Sequence, residues 1–178
     1  MCGKGGITLK RNKKIIEVLE SISTYQKPGK KTVQKLLYLI ERRGVELDLD
    51  YRIHFFGPYS STLDDTLHAL QNNDVLEINT SGPTHTICVK DASKCEGEEL
   101  SSEERKVVDF VISNFGNKSA LELEAITTLD YVANSLKGND ELQDSDIIEG
   151  VQKIKGTKFN EQQLSEYLSV LKKFEFLN

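Results

Sequence analysis

Apolar positions recur at helical spacing over most of the chain, interrupted by three short stretches of strand-like alternation. Ile15, Val18, Leu19 and Ile22 follow the i, i+3, i+4, i+7 template and predict a helix from a cap at Asn12 to about Tyr25. Pro28 and Gly29 break the chain. Thr32 can then cap a second helix, which buries Val33, Leu36, Leu37 and Ile40 and ends at Gly44, with Tyr38 and Leu39 off the centre of its stripe. Tyr51, Ile53 and Phe55 alternate with Arg52, His54 and Phe56 as a strand, and Gly57-Pro58 is expected to end its pairing. A third helix opens at Ser60 or Ser61, with Ser61 and Asp64 spaced as a capping box and Leu63, Leu67 and Leu70 as a narrow apolar face. Val75–Ile78 and His85–Val89 then read as a β-hairpin that sets Leu76 and Ile78 against Ile87 and Val89.

Beyond the polar stretch 91–99 the pattern is helical. Ser101 opens one helix before Val107, Val108, Val111, Ile112 and Phe115. Ser119 with Glu122 opens the next, whose stripe is Ala125, Leu129, Val132, Ala133 and Leu136. After a loop at 138–143, Asp144 or Ser145 opens a helix closed by Gly156, and Asn160 with Gln163 opens the last. The expected fold is mostly α with a small β-hairpin. A flexible basic N-terminus (1–11) precedes a winged-helix-like domain (12–91), and a helical subdomain (101–178) packs on that domain.

Composition places the chain among ordinary globular proteins: 178 residues, 38% hydrophobic and 29% charged, with a net charge of −5. No apolar run approaches the roughly 18 residues of a spanning helix, and no secretory h-region opens the chain, so a cytoplasmic protein without a membrane partner is expected. Cys2, Cys88 and Cys95 lack metal or disulfide spacing and read as reduced thiols. The charge is uneven. Residues 1–43 hold 11 Lys and Arg against 3 Asp and Glu, and the remainder holds 12 against 25. Lys10, Arg11, Lys13 and Lys14 are therefore candidate contacts for an anion or nucleic acid, although a basic front lying on an acidic back reads the same asymmetry equally well.

Weighed as chemistry, these features favour binding over catalysis. A winged helix ordinarily reads DNA through its third helix, but here that helix has no Lys or Arg and carries aspartates, and the wing tip is equally free of Lys and Arg. A DNA-binding regulator would have to use the basic first helix. His54, His68 and His85 are scattered without ligand spacing, and no phosphate-loop, dinucleotide or nucleophile-elbow motif occurs, so neither an enzyme nor a cofactor is expected. Tyr38, Phe56 and Tyr59, with Gly57, Pro58 and Ser60, form the candidate partner surface, and core packing is the simpler reading of Phe56.

Lys35-Leu-Leu-Tyr-Leu-Ile, then His54-Phe-Phe-Gly-Pro-Tyr-Ser, spaced leucines and Val75-Leu-Glu-Ile resemble the YwgA-like prokaryotic family, which is in turn similar to the Panacea domain of SocA-like antitoxins. The resemblance covers residues 31–78, and Phe115-Gly-Asn-Lys-Ser matches in type. It implies a small prokaryotic cytoplasmic protein. Its partner would be a protein, a toxin neutralised by direct binding or handed to a protease; a homodimer is compatible with it.

Overall fold

The structure is a computed structural model that describes residues 4–137 and 142–177, with side chains from Lys10 onward. The expectations for Cys2 and for the loop at 138–141 lie outside the described residues. The described elements are α1 (Lys4–Ser23), α2 (Lys30–Arg42), β1 (Arg52–His54), β2 (Gly57–Tyr59), α3 (Ser61–Asn72), β3 (Leu76–Asn79), β4 (Thr86–Val89), α4 (Ser102–Phe115), α5 (Ala120–Leu136), α6 (Asp144–Lys155) and α7 (Glu161–Lys173). This is the expected mostly α class with small antiparallel strand pairs.

The chain divides into two compact units, and the division differs from a break at the polar stretch. Unit 1 is Met1–Tyr51 with Ser60–Lys118; unit 2 is Arg52–Tyr59 with Ser119–Asn178. The stretch 91–100 is not a boundary because the chain ties it down: Cys95 and Leu100 are buried, and Lys10 and Lys13 pair with Glu98 and Glu99 at 3.0 and 2.7 Å. Helix α4 consequently packs on α1 and α2 inside unit 1.

In unit 1, Ile15, Val18, Leu19 and Ile22 of α1 are buried as the periodicity predicts. The helix starts at Lys4 rather than Asn12, because Arg11 and Asn12 sit within an unbroken run, with the Arg11 guanidinium reaching across to the carbonyls of Leu47 and Asp48. Helix α2 is buried almost all round, so Tyr38 and Leu39 are core rather than edge residues. Its cap is Gly29, ahead of Thr32. Pro28 accepts from the Ile87 N–H and Lys30 donates to the His85 carbonyl, both at 2.8 Å, so the chain enters α2 directly from a bridge to β4. Gly44, at φ +97°, ends the helix as expected.

Ser60 caps α3 by accepting from the Leu63 N–H at 2.9 Å. The Ser61–Asp64 capping box does not form; Asp64 instead meets the Lys30 ammonium at 2.5 Å. Leu63, Leu67 and Leu70 are buried, and β3 pairs with β4 in the predicted register, Leu76 opposite Val89 and Ile78 opposite Ile87. Unit 1 thus keeps the α1–α2–α3–β3–β4 order behind the winged-helix expectation. The strand expected between the second and third helices belongs to unit 2.

In unit 2, α5, α6 and α7 pack mutually, and β2 lies against α5. Leu129, Val132, Val151, Leu164, Leu168 and Leu171 contribute to the core. Both predicted capping boxes form, Ser119 with Glu122 and Asn160 with Gln163; α6 is boxed one residue early, by Gln143 with Asp146. Leu136, expected in the buried stripe of its helix, is exposed, as is Ile154 near the end of α6.

Candidate functional site at the aromatic hairpin

The strand read at Tyr51–Phe56 is one arm of a hairpin. Pairing does not end at Gly57-Pro58: Arg52 lies opposite Tyr59, Ile53 opposite Pro58 and His54 opposite Gly57, leaving Phe55 and Phe56 as the turn. Proline is accommodated because alternate positions in an antiparallel ladder exchange no hydrogen bonds. Glycine is required at 57, where φ is +86°, the left-handed residue that follows a tight turn and leaves both phenylalanines in ordinary backbone conformations.

The turn is therefore occupied by two aromatic side chains where Gly, Asn, Asp and Ser usually stand. Phe55 is 75% exposed and Phe56 41%. Their rings meet edge to face, centroids 4.9 Å apart, so each orients the other. Behind them, His54 packs on Tyr59 at 5.5 Å.

A charged cluster fixes the turn from below. Lys155, at the end of α6, donates to the Phe55 carbonyl at 2.5 Å and pairs with Glu124 of α5 at 3.0 Å; both of these side chains are buried. Lys158 meets the same carboxylate at 2.7 and 2.8 Å and lies 5.5 Å from the centroid of the Phe56 ring. Three charged groups distant in sequence from the turn thereby hold one exposed aromatic tip.

The other residues of the expected partner surface lie elsewhere. Tyr38 is buried in unit 1, edge to face with Tyr51 at 5.1 Å. Gly57 and Pro58 are buried in the hairpin, and Tyr59 is half-buried. Ser60 is fully buried and structural: its hydroxyl donates to the Leu49 carbonyl, and Gln34 holds its backbone through two bonds of 2.9 Å. Phe56 alone of the six is exposed, contrary to the core reading made of it.

The basic candidates meet the chain's own acceptors. Lys10 pairs with Glu98, Lys13 with Glu99, and Lys14 with Glu104 at 2.6 Å, while Arg11 is buried against the carbonyls of Leu47 and Asp48. Burial pushes the Glu104 carboxyl up, but hydrogen bonds from Lys14 and Ser101 outweigh it and hold the group below the ordinary carboxylate range. Of the two readings of the charge asymmetry, these pairs realise the self-complementary one. Among the described residues, no three or more His, Cys, Asp and Glu side chains gather as metal ligands, and no helix is long and apolar enough to cross a membrane.

Residues 33–131 match the family model described as antitoxin SocA-like, Panacea domain, over more than half of the chain. The chain belongs to this Panacea family. No curated protein matches it. The matched span opens at Val33 in α2, takes in the whole aromatic hairpin and ends at Tyr131 in α5, well beyond the 31–78 core of the resemblance seen in the sequence. It includes Glu124 but stops short of Lys155 and Lys158. Sequence reasoning missed Phe55 and these three charged residues. The signal for Phe55 was present, since a glycine that needs positive φ directly after two residues closes a hairpin as readily as it ends a strand. No sequence signal pairs Glu124 with lysines 31 and 34 residues downstream.

Proposed function

We propose that this Panacea protein is a non-enzymatic, antitoxin-like binding protein whose partner is a protein toxin, neutralised by direct contact. The family match over residues 33–131 carries the reading. Support comes from the matched span itself, which holds an exposed aromatic pair on an immobilised turn, the kind of anchor that dominates protein interfaces. The reading needs no cofactor and no catalytic residue. The alternative of a DNA-binding regulator acting through the basic first helix gains little, because the cations it needs already meet the carboxylates of Glu98, Glu99 and Glu104, which phosphates would have to displace.

The test is co-expression of the full chain with the toxin-like product of a neighbouring gene in a host that the product arrests. Restored growth together with co-purification of the two proteins is the expected result. A neighbouring product that stays toxic and does not bind, alongside a salt-dependent shift of duplex DNA by the chain, would favour the regulator instead.

A further inference from the structure

We infer that the Phe55–Phe56 turn is the anchor by which the chain engages its toxin, and that it enters an apolar pocket rimmed by carboxylates. This rests on the antitoxin-like reading and adds to it the contact point and the chemistry of the partner.

Three observations carry the assignment. The first is exposure without a folding reason: Phe55 leaves three-quarters of its surface to solvent at a position where a polar turn residue would serve the hairpin better. The second is preorganisation. The rings lock edge to face, Gly57 supplies the left-handed backbone, and Lys155 holds the Phe55 carbonyl while its own charge is paired with Glu124. A tip fixed in this way surrenders little conformational freedom on docking.

The third is charge. The chain is acidic overall at −5, yet the surroundings of this turn are cationic. Lys155 and Lys158 share the one carboxylate of Glu124, Lys158 is partly exposed beside the Phe56 ring, and the Arg52 side chain is exposed on β1, leading to the tip. An aromatic anchor with a basic surround is complemented by an apolar pocket with an acidic rim, which steers encounter and fixes register.

The experiment uses the full chain and, as probe, the purified toxin-like product that it neutralises in co-expression. Phe55→Ala and Phe56→Ala are each expected to weaken binding by about 30-fold or more, as for a buried aromatic anchor. Arg52→Glu is expected to weaken it by about tenfold, with wild-type affinity falling as salt rises. Leu121→Ala, which removes another exposed apolar side chain of unit 2, should leave affinity unchanged. Because Phe55 is mostly solvated, Phe55→Ala should also leave the melting temperature unchanged, and Phe55→Leu should retain most of the affinity, so a loss cannot be assigned to misfolding. Wild-type-like binding and growth rescue by the Phe55 and Phe56 variants would overturn the assignment while leaving the antitoxin reading intact. A wild-type chain that binds no such product removes both. Self-association that disappears in Phe55→Ala, without any effect on toxin binding, would instead make a second copy of the chain the occupant and equally overturn the assignment.

Discussion

Ser60 does two jobs with one hydroxyl, and separating them tests how unit 1 is closed. Its oxygen accepts from the Leu63 N–H at 2.9 Å as the cap of α3, and its proton goes to the Leu49 carbonyl, all at a fully buried position. Ser60→Ala loses both. An N-cap is worth about 0.5–2 kcal/mol, and a buried carbonyl left without a donor costs about 1–3 kcal/mol, so a loss of roughly 2–4 kcal/mol is expected. Ser60→Asp restores an acceptor for Leu63 but sets a carboxylate against the Leu49 oxygen, where no proton remains to share. If the cap were the whole contribution, Asp would recover most of the stability, because Asp and Ser rank together at that position. The bond to Leu49 predicts the reverse: Ser60→Asp should be at least as unstable as Ser60→Ala. Urea denaturation followed by tyrosine fluorescence suits the comparison, since the chain has no Trp and Tyr38 and Tyr51 report on unit 1. A Ser60→Asp variant as stable as wild type, or a Ser60→Ala variant losing well under about 1 kcal/mol, would refute this account of the closure.

Other consequences can be read from the same contacts. Burial raises the Glu41 carboxyl above its ordinary range, with Asp48 adding to the effect and the Leu49 N–H opposing it, so the ionised form costs stability once pH passes the folded-state value. Glu41→Gln keeps an acceptor for Leu49 and should raise the melting temperature at pH 7, with the gain shrinking as pH falls below the raised folded-state value and gone below the ordinary carboxylate value of ~4.3. Glu124→Ala strands two lysines, one of them buried, and should cost about 3–5 kcal/mol by chemical denaturation, whereas the double change with Lys155→Met should recover much of that loss. Gly57→Ala forces a Cβ into the left-handed region at φ +86° and should cost about 1–2 kcal/mol, read as a lower melting temperature of unit 2.

Helix positions, two of the capping boxes and the β3–β4 register were legible because they follow from local periodicity and from side chains that satisfy neighbouring backbone groups. Ser119–Glu122 and Asn160–Gln163 each place an oxygen and a carboxylate or amide three residues apart, and each forms; Ser101, expected to open its helix, does so in a box with Glu104. What periodicity could not give was burial from more than one side. Tyr38 and Leu39 look peripheral to a single stripe, but α2 is packed all round, with α4 among its neighbours, and both become core. At the hairpin the rule that Gly-Pro ends a strand competed with the fact that a left-handed glycine also closes a turn, and turn geometry won. The cluster that holds the turn was illegible for a different reason. Lys155 meets the Phe55 carbonyl across 100 residues of chain, and no local pattern encodes such a meeting.

That separation has a consequence for synthesis. The hairpin leaves the ribosome early, yet the helices it packs with and the lysine that holds its turn come last. At about 5–20 residues per second, the 100 residues from Phe55 to Lys155 impose a wait on the order of 5–20 s. Throughout that interval two adjacent phenylalanines and a bare ribbon edge stand open to any chaperone or neighbouring chain. The nascent protein therefore shows its most adhesive residues before it can hold them still, and a ribosome that stalls between α4 and α6 would keep the chain in that state.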